Sequence, residues 1–367
     1  MRRVTQHFDL LLLGATVLLV LYGVIMIYSA THLSGESGEN LWDTFFARQM
    51  IYALVGLGLM FLATIADYRY LENLYRPLYI LTILSLLLLS VVGRISFGAQ
   101  RWLGFGRFQP SELAKLFMII ILAKYLSDRG PSIERFPQLL ISLIYVAIPM
   151  VLIYLQPDLG TALILGVIWL VMALMAGARL RHVAILALLG VLGTPLIWLS
   201  LEDYMRERII IFFNPQHDPL GVGYNINQAR IAVGSGGWWG QGFGSGSQNQ
   251  LHFLRVRHTD YIFSVLGEEL GFVGVLILLL LLGIVLLRIL RAADLAGDDF
   301  GKLIACGVAT VIAFQAFVNM GMNIGLIPAA GTSLPFMSYG GSGLITLLLA
   351  EGVVQSILLR HRKLEFQ

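Results

Sequence analysis

Charged residues and cysteines are scarce in this sequence. Only 13% of its 367 residues are Asp, Glu, Lys or Arg, which is about half the proportion found in soluble globular domains. A single cysteine, Cys306, lies in an apolar run. One cysteine excludes a disulfide framework and a cysteine-based metal cage, so we interpret Cys306 as a small buried hydrophobic residue. The composition therefore excludes a soluble globular protein.

The motifs of several common enzyme classes are also missing. The seven histidines lack the spacing of metal ligands, and neither His-Glu-x-x-His nor Gly-x-Ser-x-Gly occurs. Residues 234–246 contain seven glycines, but no Gly-Lys-Ser or Gly-Lys-Thr follows them, so this segment is not a nucleotide-binding P-loop. We predict that residues 225–233, just before it, form a short amphipathic helix at the membrane interface.

Long hydrophobic runs make up most of the chain. Hydrophobic residues account for 57% of it, and the mean hydropathy is +0.79. Because a helix needs about 20 apolar residues to cross the hydrocarbon layer, we predict an all-α polytopic membrane protein with ten transmembrane helices in a single domain, residues 1–367. The predicted spans are residues 8–30, 46–66, 73–93, 110–127, 138–155, 158–176, 182–200, 261–287, 302–325 and 339–359.

The distribution of lysine and arginine predicts the topology. An even number of spans puts both termini on one side, and the loops on that side carry fifteen Lys and Arg residues against four in the short loops opposite. The positive-inside rule then predicts cytoplasmic termini and one large extracytoplasmic loop, residues 201–260, between spans seven and eight. The same bias explains the net charge of +3 without a nucleic-acid partner.

Ionisable residues near the span ends are candidates for function, because charges at membrane depth are costly. Glu112 and Lys115 lie three residues apart on one helix face. They form either an ion pair that orients the fourth helix or a charged wall of a cavity for an anionic head group. Asp158 suits the cap of the sixth helix. Arg101, in the outer loop at residues 97–107, could bind a phosphate with its guanidinium fork.

Asp260, the last residue before the eighth span, has two interpretations. An aspartate at a helix start is usually an N-cap. It also follows Arg255, Arg257 and His258, and a carboxylate near guanidinium groups stays ionised and could accept a proton from a hydroxyl group. Glu268 lies on the same face, about 12 Å deeper. These residues predict an outward-facing site for an anionic amphiphile and leave the reaction undefined.

Together these motifs resemble the SEDS family (shape, elongation, division and sporulation), the bacterial peptidoglycan glycosyltransferases. The resemblance extends over almost the whole chain, and within it residues 244–254 resemble the elongation branch, RodA, rather than the division branch, FtsW. Arg255 and Val256 depart from the family pattern, which commonly has Pro-Glu there. The matching segments are Gly98 to Trp102, Gln109 to Lys115, Gln156 to Thr161, His258 to Gly271 and Pro328 to Gly343.

The resemblance implies that the protein polymerises lipid II into glycan strands on the outer face of the bacterial cytoplasmic membrane, during cell elongation and rod-shape maintenance. Asp260 matches the essential aspartate of the family and would be the general base, while Arg101 and Lys115 would stabilise the pyrophosphate leaving group and Glu112 would position Lys115. The other expected substrate-binding residues are His258, Thr259, Gln248 and Ser338.

The resemblance also implies partners and a cofactor. The expected partners are lipid II, the growing glycan strand, a class B penicillin-binding protein (a one-span transpeptidase) and other membrane proteins of the elongation complex. The expected cofactor is a divalent cation, magnesium or manganese, with no organic cofactor. Two other functions stay open at this point: a lipid II flippase or other transporter, and a non-catalytic scaffold for the transpeptidase.

Overall fold

The computed structural model describes residues 8–31, 44–92, 94–96, 99–102, 109–214, 221–251, 253–254 and 257–360. Within these residues the regular secondary structure is helical apart from one short hairpin. The helices are α1 (Leu10–Thr31), α2 (Phe45–Ile65), α3 (Leu71–Val92), α4 (Pro110–Arg129), α5 (Phe136–Tyr154), α6 (Leu159–Met175), α7 (Leu180–Ser200), α8 (Asp203–Phe213), α9 (Val222–Ser235), α10 (Ser247–Gln250), α11 (Ile262–Leu295), α12 (Asp299–Asn323) and α13 (Gly341–Leu359). Short 3-10 turns, Tyr68–Tyr70 and Gly130–Glu134, precede α3 and α5.

Every one of the ten predicted spans coincides with a helix. Seven helical segments are long and apolar enough to cross a membrane, and α6 and α7 contain shorter apolar stretches. Helix α4 has the required length, but both of its ends carry charged residues. The prediction of a helical, multi-pass membrane protein is therefore confirmed. That all ten helices cross, with both termini in the cytoplasm, stays a prediction.

The two polar segments contain more regular structure than the sequence indicated. Between α3 and α4, strands β1 (Arg94–Ser96) and β2 (Ala99–Trp102) pair antiparallel, with Ile95 opposite Gln100. The large segment between α7 and α11 holds three helices rather than an open loop. One of them, α9, confirms that residues 225–233 are helical; its position at the membrane interface stays a prediction.

Helices α12 and α13 form the buried centre of the molecule. In an apolar 18-residue stretch of each helix, 72% of the residues are buried in α12 and 78% in α13, whereas only 28% are buried in α11. Helix α13 packs along α2, and α12 packs between α11, α4 and α6. Small residues allow these approaches: a Cβ atom on Gly352 would collide with the backbone of Met60. Such close contact is the usual source of helix association inside a bilayer.

A polar cluster joins the start of α1 to α11 and α13. Asp9 accepts hydrogen bonds from the Leu12 amide (3.0 Å) at the start of α1 and from Arg288 Nε of α11 (2.6 Å). Its backbone exchanges two hydrogen bonds with the Gln355 side chain of α13 (3.1 and 2.9 Å). Because unpaired polar groups are costly in an apolar environment, these contacts fix the register of the three helices.

The close contact between α1 and the segment before α13, residues 324–340, gives a stability prediction. A Cβ atom at Gly23 would lie 2.7 Å from Met337 Cα and 2.8 Å from the Phe336 carbonyl oxygen, whereas a Cβ atom at Gly14 on the same helix meets nothing within 4 Å. We expect Gly23→Ala to destabilise the protein by about 1–3 kcal/mol and Gly14→Ala to change stability by less than about 1 kcal/mol. Thermal unfolding in detergent micelles measures both, and equal melting temperatures would contradict the packing.

Candidate functional site

Asp260 lies in a turn, residues 257–261, that leads directly into α11. The N-cap of α11 is Tyr261, whose side chain makes no capping hydrogen bond. Asp260 therefore lies one residue before the cap position, which disagrees with the interpretation of Asp260 as the N-cap of the eighth helix. Its side chain is partly exposed in a region where the neighbouring residues of α11 are buried.

The segment before α13 holds this turn from one side. Ser338 Oγ donates to the Thr259 carbonyl (2.7 Å) and accepts from the Leu334 amide (2.8 Å). The Tyr339 amide donates to the His258 carbonyl (2.9 Å). Three of the predicted substrate-binding residues, His258, Thr259 and Ser338, are thus brought together beside Asp260, where their backbone and hydroxyl groups build the turn.

Aromatic side chains pack around His258. Its ring stacks on Phe45 of α2 at 4.3 Å between centroids and meets Tyr339 edge-on at 5.5 Å. Burial raises the pKa of the Tyr339 hydroxyl above its usual value, so this group stays protonated. Gln49 of α2 adds two hydrogen bonds of 3.2 Å, to the Ser338 carbonyl and from the Gly340 amide. The segment that holds Asp260 is in this way itself attached to α2.

Two amide side chains of α12 hold the turn from the other side. Asn319 Nδ2 and Asn323 Nδ2 both donate to the carbonyl oxygen of Asp260, at 3.0 and 2.9 Å. Both side chains are fully buried. Sequence reasoning missed this pair, although two asparagines four residues apart in an apolar helix are a signal that polar residues at membrane depth have a partner.

Glu112 and Lys115 form the predicted ion pair near the start of α4. Lys115 Nζ lies 2.8 Å from Glu112 Oε1, and the two side chains are only 3% and 11% exposed. The pair also lines a narrow cavity between α4, α12 and α13, whose other walls are Leu116, Ile119, Val308, Val311, Thr346, Leu347 and Ala350. The ion pair is therefore present, whereas this cavity, at about 10 Å³, is too small for an anionic head group, and the charged wall of a head-group site stays a prediction.

The first turn of α13 and the segment before it connect this pair to the Asp260 turn. The amide of Gln109, which precedes α4, donates to Ser342 Oγ at 2.9 Å. A Cβ atom on Gly343 would lie 3.3 Å from Glu112 Oε2. The N-terminal ends of α4, α11 and α13 consequently meet in one region. Helix N-termini carry partial positive charge and favour anions, so this region suits an anionic ligand.

Glu268 and Glu269, both fully buried in α11, have a different environment. Glu268 accepts from the Gln248 amide (2.8 Å), the Asn249 amide (3.3 Å) and Ser247 Oγ (3.3 Å) of α10. Glu269 accepts from Ser29 Oγ (2.6 Å), Asn249 Nδ2 (3.0 Å) and the Gly244 amide (3.2 Å). These carboxylates face the protein interior, as predicted, and they hold the glycine-rich segment and α10 against α11.

Gln248 approaches this pair through its backbone only. Its side-chain oxygen is buried and accepts no hydrogen bond from the described residues. Arg257 Nε donates to the Ala30 carbonyl at the end of α1 (2.6 Å), so this guanidinium ties the turn to α1.

The remaining predicted residues divide into three groups. Asp158 caps α6, as predicted, because its carboxylate accepts from the Thr161 amide (3.2 Å) and from Thr161 Oγ1 (3.0 Å). Arg101 lies in β2, and its side chain is outside the described part of the structure. Arg255 and Val256, the departure from the family pattern, are also outside the described residues.

Metal binding by the protein alone has no support in the described part of the chain. No group of three or more His, Cys, Asp or Glu side chains in it could hold a metal ion. Beside Asp260, the His258 ring packs against Phe45 and Tyr339, and the Asn319 and Asn323 amides donate to the Asp260 carbonyl. The residues present therefore do not fit a resident metal held by the protein itself.

Comparison with known proteins gives consistent matches over nearly the whole chain. The family model FTSW_RODA_SPOVE, described as a cell cycle protein, matches residues 9–363. The peptidoglycan glycosyltransferase MrdB of Escherichia coli K12 is 39% identical over 357 residues, which cover 96% of this chain and 95% of the relative.

Two solved structures have the same fold. One is a chain of a peptidoglycan synthase complex that coordinates polymerization and crosslinking; it is 33% identical, with a TM-score of 0.81 and coverage of 98% of this chain and 99% of that one. The other is the rod shape determining protein RodA of Thermus thermophilus, 30% identical, with a TM-score of 0.73 and coverage of 98% and 99%.

The buried ion pair of α4 gives a prediction with an internal control. Removing one partner of a buried pair leaves an uncompensated charge, so we expect Lys115→Met to destabilise the protein by about 3–5 kcal/mol. The double variant Glu112→Gln, Lys115→Met should recover part of that loss. The control is Asp128→Asn on the same helix: Asp128 pairs with Lys124 at 2.7 Å but is 55% exposed, so the change should be below about 1 kcal/mol. Thermal unfolding measures the two single variants, the double variant and the control, and additive effects of the two substitutions would contradict the pairing.

Proposed function

The chain belongs to the FtsW/RodA/SpoVE family, and we propose that it is a peptidoglycan glycosyltransferase that polymerises lipid II into glycan strands. The reaction takes place at the outer face of the bacterial cytoplasmic membrane during cell elongation and rod-shape maintenance. Ten helices cross the membrane in this proposal, with both termini in the cytoplasm. The observation that carries the chemical assignment is Asp260, a carboxylate in a turn that two other elements hold by hydrogen bonds.

The proposed reaction is a glycosyl transfer with Asp260 as general base. The carboxylate takes the proton of the acceptor sugar hydroxyl as its oxygen forms a bond to the anomeric carbon of the donor. The bond from that carbon to the pyrophosphate oxygen breaks, and the lipid-linked pyrophosphate leaves with the bonding electron pair. A carboxylate has to be within hydrogen-bond reach of the hydroxyl to act in this way, and the fixed backbone of Asp260 supports such a placement.

The leaving group concentrates negative charge, which the site has to stabilise electrostatically. Lys115 supplies an ammonium group that Glu112 holds at 2.8 Å, and Arg101 of β2 is the second proposed cation. The convergence of three helix N-termini around Ser342 and Tyr339 adds partial positive charge in the same region. These features support a site for a pyrophosphate group.

We assign His258, Thr259, Gln248 and Ser338 to substrate binding. One observation supports Gln248, and a different one supports the other three residues. Gln248 has a side-chain oxygen without a hydrogen-bond donor among the described residues. His258, Thr259 and Ser338 form the wall of the Asp260 turn through protein contacts, so their contribution is to the shape of the site.

A divalent cation and protein partners complete the proposal. Mg²⁺ is commonly held by one or two carboxylates together with substrate phosphates, so we propose that magnesium or manganese enters with the pyrophosphate of lipid II. The similarity to a chain of a peptidoglycan synthase complex supports work within such a complex, with a class B penicillin-binding protein and other elongation proteins as partners. The growing glycan strand is the second substrate.

Transport and scaffolding are the competing functions. A flippase requires polar groups along a path through the membrane. Glu351 is a buried acid in the other half of α13, and it accepts a hydrogen bond from Thr16 at 2.7 Å. The cavity beside Glu112 and Lys115 is otherwise lined by aliphatic residues and Thr346, so polar groups do not continue along it. A scaffold requires no carboxylate at position 260. A flippase or a scaffold forms no strands itself, so both alternatives predict that the wild-type protein yields no polymer from purified lipid II.

Polymerisation of purified lipid II, with the partner and Mg²⁺ present, tests the proposal. We expect Asp260→Asn to lower the rate of strand formation at least about 100-fold, because the general base is lost. The control is Asp203→Asn in the same extracytoplasmic segment, whose side chain is fully exposed to solvent and whose replacement should leave the rate unchanged. Folding is checked by thermal unfolding. Equal rates for wild type and a folded Asp260→Asn variant would move the base elsewhere, and absence of strands with the wild type would favour transport or scaffolding.

A further inference from the structure

Asn319 and Asn323 are the two side chains of α12 that contact the Asp260 turn. Both are fully buried in a helix that is otherwise largely apolar. Because four residues separate them, they lie on the same face of α12. That face is directed at the start of α11.

The hydrogen bonds of the two amides converge on one atom. Asn319 Nδ2 donates to the Asp260 carbonyl (3.0 Å) and to the Thr332 carbonyl (2.7 Å). Asn323 Nδ2 donates to the Asp260 carbonyl (2.9 Å) and to the Asn319 carbonyl (2.8 Å). Asn323 Oδ1 accepts from Ser264 Oγ at 2.6 Å, which fixes the orientation of this amide.

These bonds replace the helical partner that the Asp260 carbonyl would otherwise have. In a continuous α-helix this carbonyl would accept from the Ser264 amide, four residues later. Here the Ser264 amide donates instead to the carbonyl oxygen of Tyr261, at 3.0 Å. Both acceptor positions of the Asp260 carbonyl are therefore occupied by α12, and the direction of the Asp260 backbone depends on α12 rather than on α11.

We infer that Asn319 and Asn323 are positioning residues for the Asp260 carboxylate, an inference that rests on the proposed function. They act through the Asp260 backbone and contact neither substrate nor reacting atoms. Without them Asp260 can join the first turn of α11, which moves its side chain. Displacements of about 1 Å at a reacting group cost about 100-fold in rate.

The test replaces the donating amide of Asn323 with a side chain of nearly the same shape. Asn323→Asp retains an acceptor for Ser264 but offers at most one O–H donor, so it cannot serve both carbonyls, those of Asp260 and Asn319, to which the amide donates. We expect kcat for lipid II polymerisation to fall about 10- to 100-fold, with KM changed less than about threefold because substrate binding is not involved. The matched control is Gln315→Leu, another buried amide on α12, for which no hydrogen bond to the Asp260 turn occurs in the described structure; its kcat should stay within about threefold of wild type.

The outcomes separate this inference from the proposed function. Strand synthesis by wild type together with full kcat for Asn323→Asp would overturn the positioning role alone, and so would an equal loss of kcat for Gln315→Leu. Absence of strands with the wild type would overturn the function. In an Asp260→Glu background, Asn323→Asp should lower the rate by less than it does in the wild type, because both changes act on one carboxylate. If Asn323→Asp unfolds at the assay temperature, Asn323→Ser replaces it with the same expectations.

A separate observation concerns the glycine-rich segment, residues 234–246. Trp238 and Trp239 are 70% and 80% exposed, and Phe272 of α11 beside them is 50% exposed. The rings of Trp238 and Phe272 meet edge-on at 5.1 Å. Trp238 and Phe272 thus form one uncovered surface, and the exposed Trp239 follows Trp238 in the chain; we call these three residues the aromatic surface.

Backbone hydrogen bonds fix the aromatic surface at one height along α11. The amides of Phe272 and Val273 donate to the carbonyls of Gly237 (2.9 Å) and Trp238 (3.2 Å). They follow Gly271, which has a φ of +63° and interrupts the helix. A Cβ atom at Gly271 would lie 2.8 Å from the Trp238 carbonyl oxygen. The segment can therefore not slide along the helix.

The length of α11 gives the depth of this surface in the membrane. Arg288, which pairs with Asp9, marks one boundary of the hydrocarbon layer. Sixteen residues separate it from Phe272, about 24 Å at 1.5 Å per residue, whereas the hydrocarbon layer is about 30 Å thick. Phe272 thus lies within the opposite leaflet and the tryptophans lie near its boundary with water, where Trp is enriched. We propose that the aromatic surface binds the phospholipid interface of that leaflet and anchors the segment that carries Gln248.

Spin labels on the full-length protein in phosphatidylcholine vesicles test the anchor. In a Cys306→Ala background, which removes the only native cysteine, labels are attached at Trp239→Cys and, as the control, at Ser245→Cys, an exposed position of the same segment. We expect the first label to collide more often with oxygen than with a water-soluble nickel complex, and the second to show the reverse order. Aqueous accessibility at position 239, or burial from both reagents, would overturn the proposal.

Discussion

The carbonyl oxygen of Asp260 is the point on which the geometry of the candidate site depends. Two buried amides of α12 donate to it, and the next residue back, Thr259, is held by Ser338. Leaving one such buried group without a partner costs about 1–3 kcal/mol. Because these hydrogen bonds go to neighbouring residues of one short turn, the turn has one favourable arrangement. The position of α11 relative to α12 and α13 follows from the same set of bonds.

The buried carboxylates divide by the way their oxygens are used. Glu268 and Glu269 accept only from backbone amides, hydroxyls and a side-chain amide that belong to neighbouring segments. Removing either would release a segment, which is a structural role. Asp260 differs in two ways. The hydrogen bonds from α12 go to its backbone carbonyl, and the residue lies before the start of α11. Among these acids it is Asp260 whose fixed backbone leaves the side chain partly exposed.

The sequence predicted the helices well and the contacts between them poorly. Apolar length is a local property, so each predicted span coincides with a helix, and the cap at Asp158 follows from its neighbours alone. The position of Asp260 before the cap depends on Asn319 and Asn323, which are about sixty residues away in the chain, and no local pattern contains that information. The pair could have been noticed as polar residues at helical spacing, but their partner could not have been identified.

The arrangement of helix ends explains why an amphiphilic substrate suits this site. The starts of α4 and α13 are joined through Gln109 and Ser342, and the starts of α11 and α13 through His258 and Tyr339. The N-terminal ends of three helices, which carry partial positive charge, therefore meet in one polar region. Immediately below it, the cavity beside Lys115 is lined mainly by aliphatic side chains. At about 10 Å³ this cavity holds no more than about one water molecule, so the helix ends suit the anionic head of an amphiphile and its hydrocarbon tail has to lie outside this cavity.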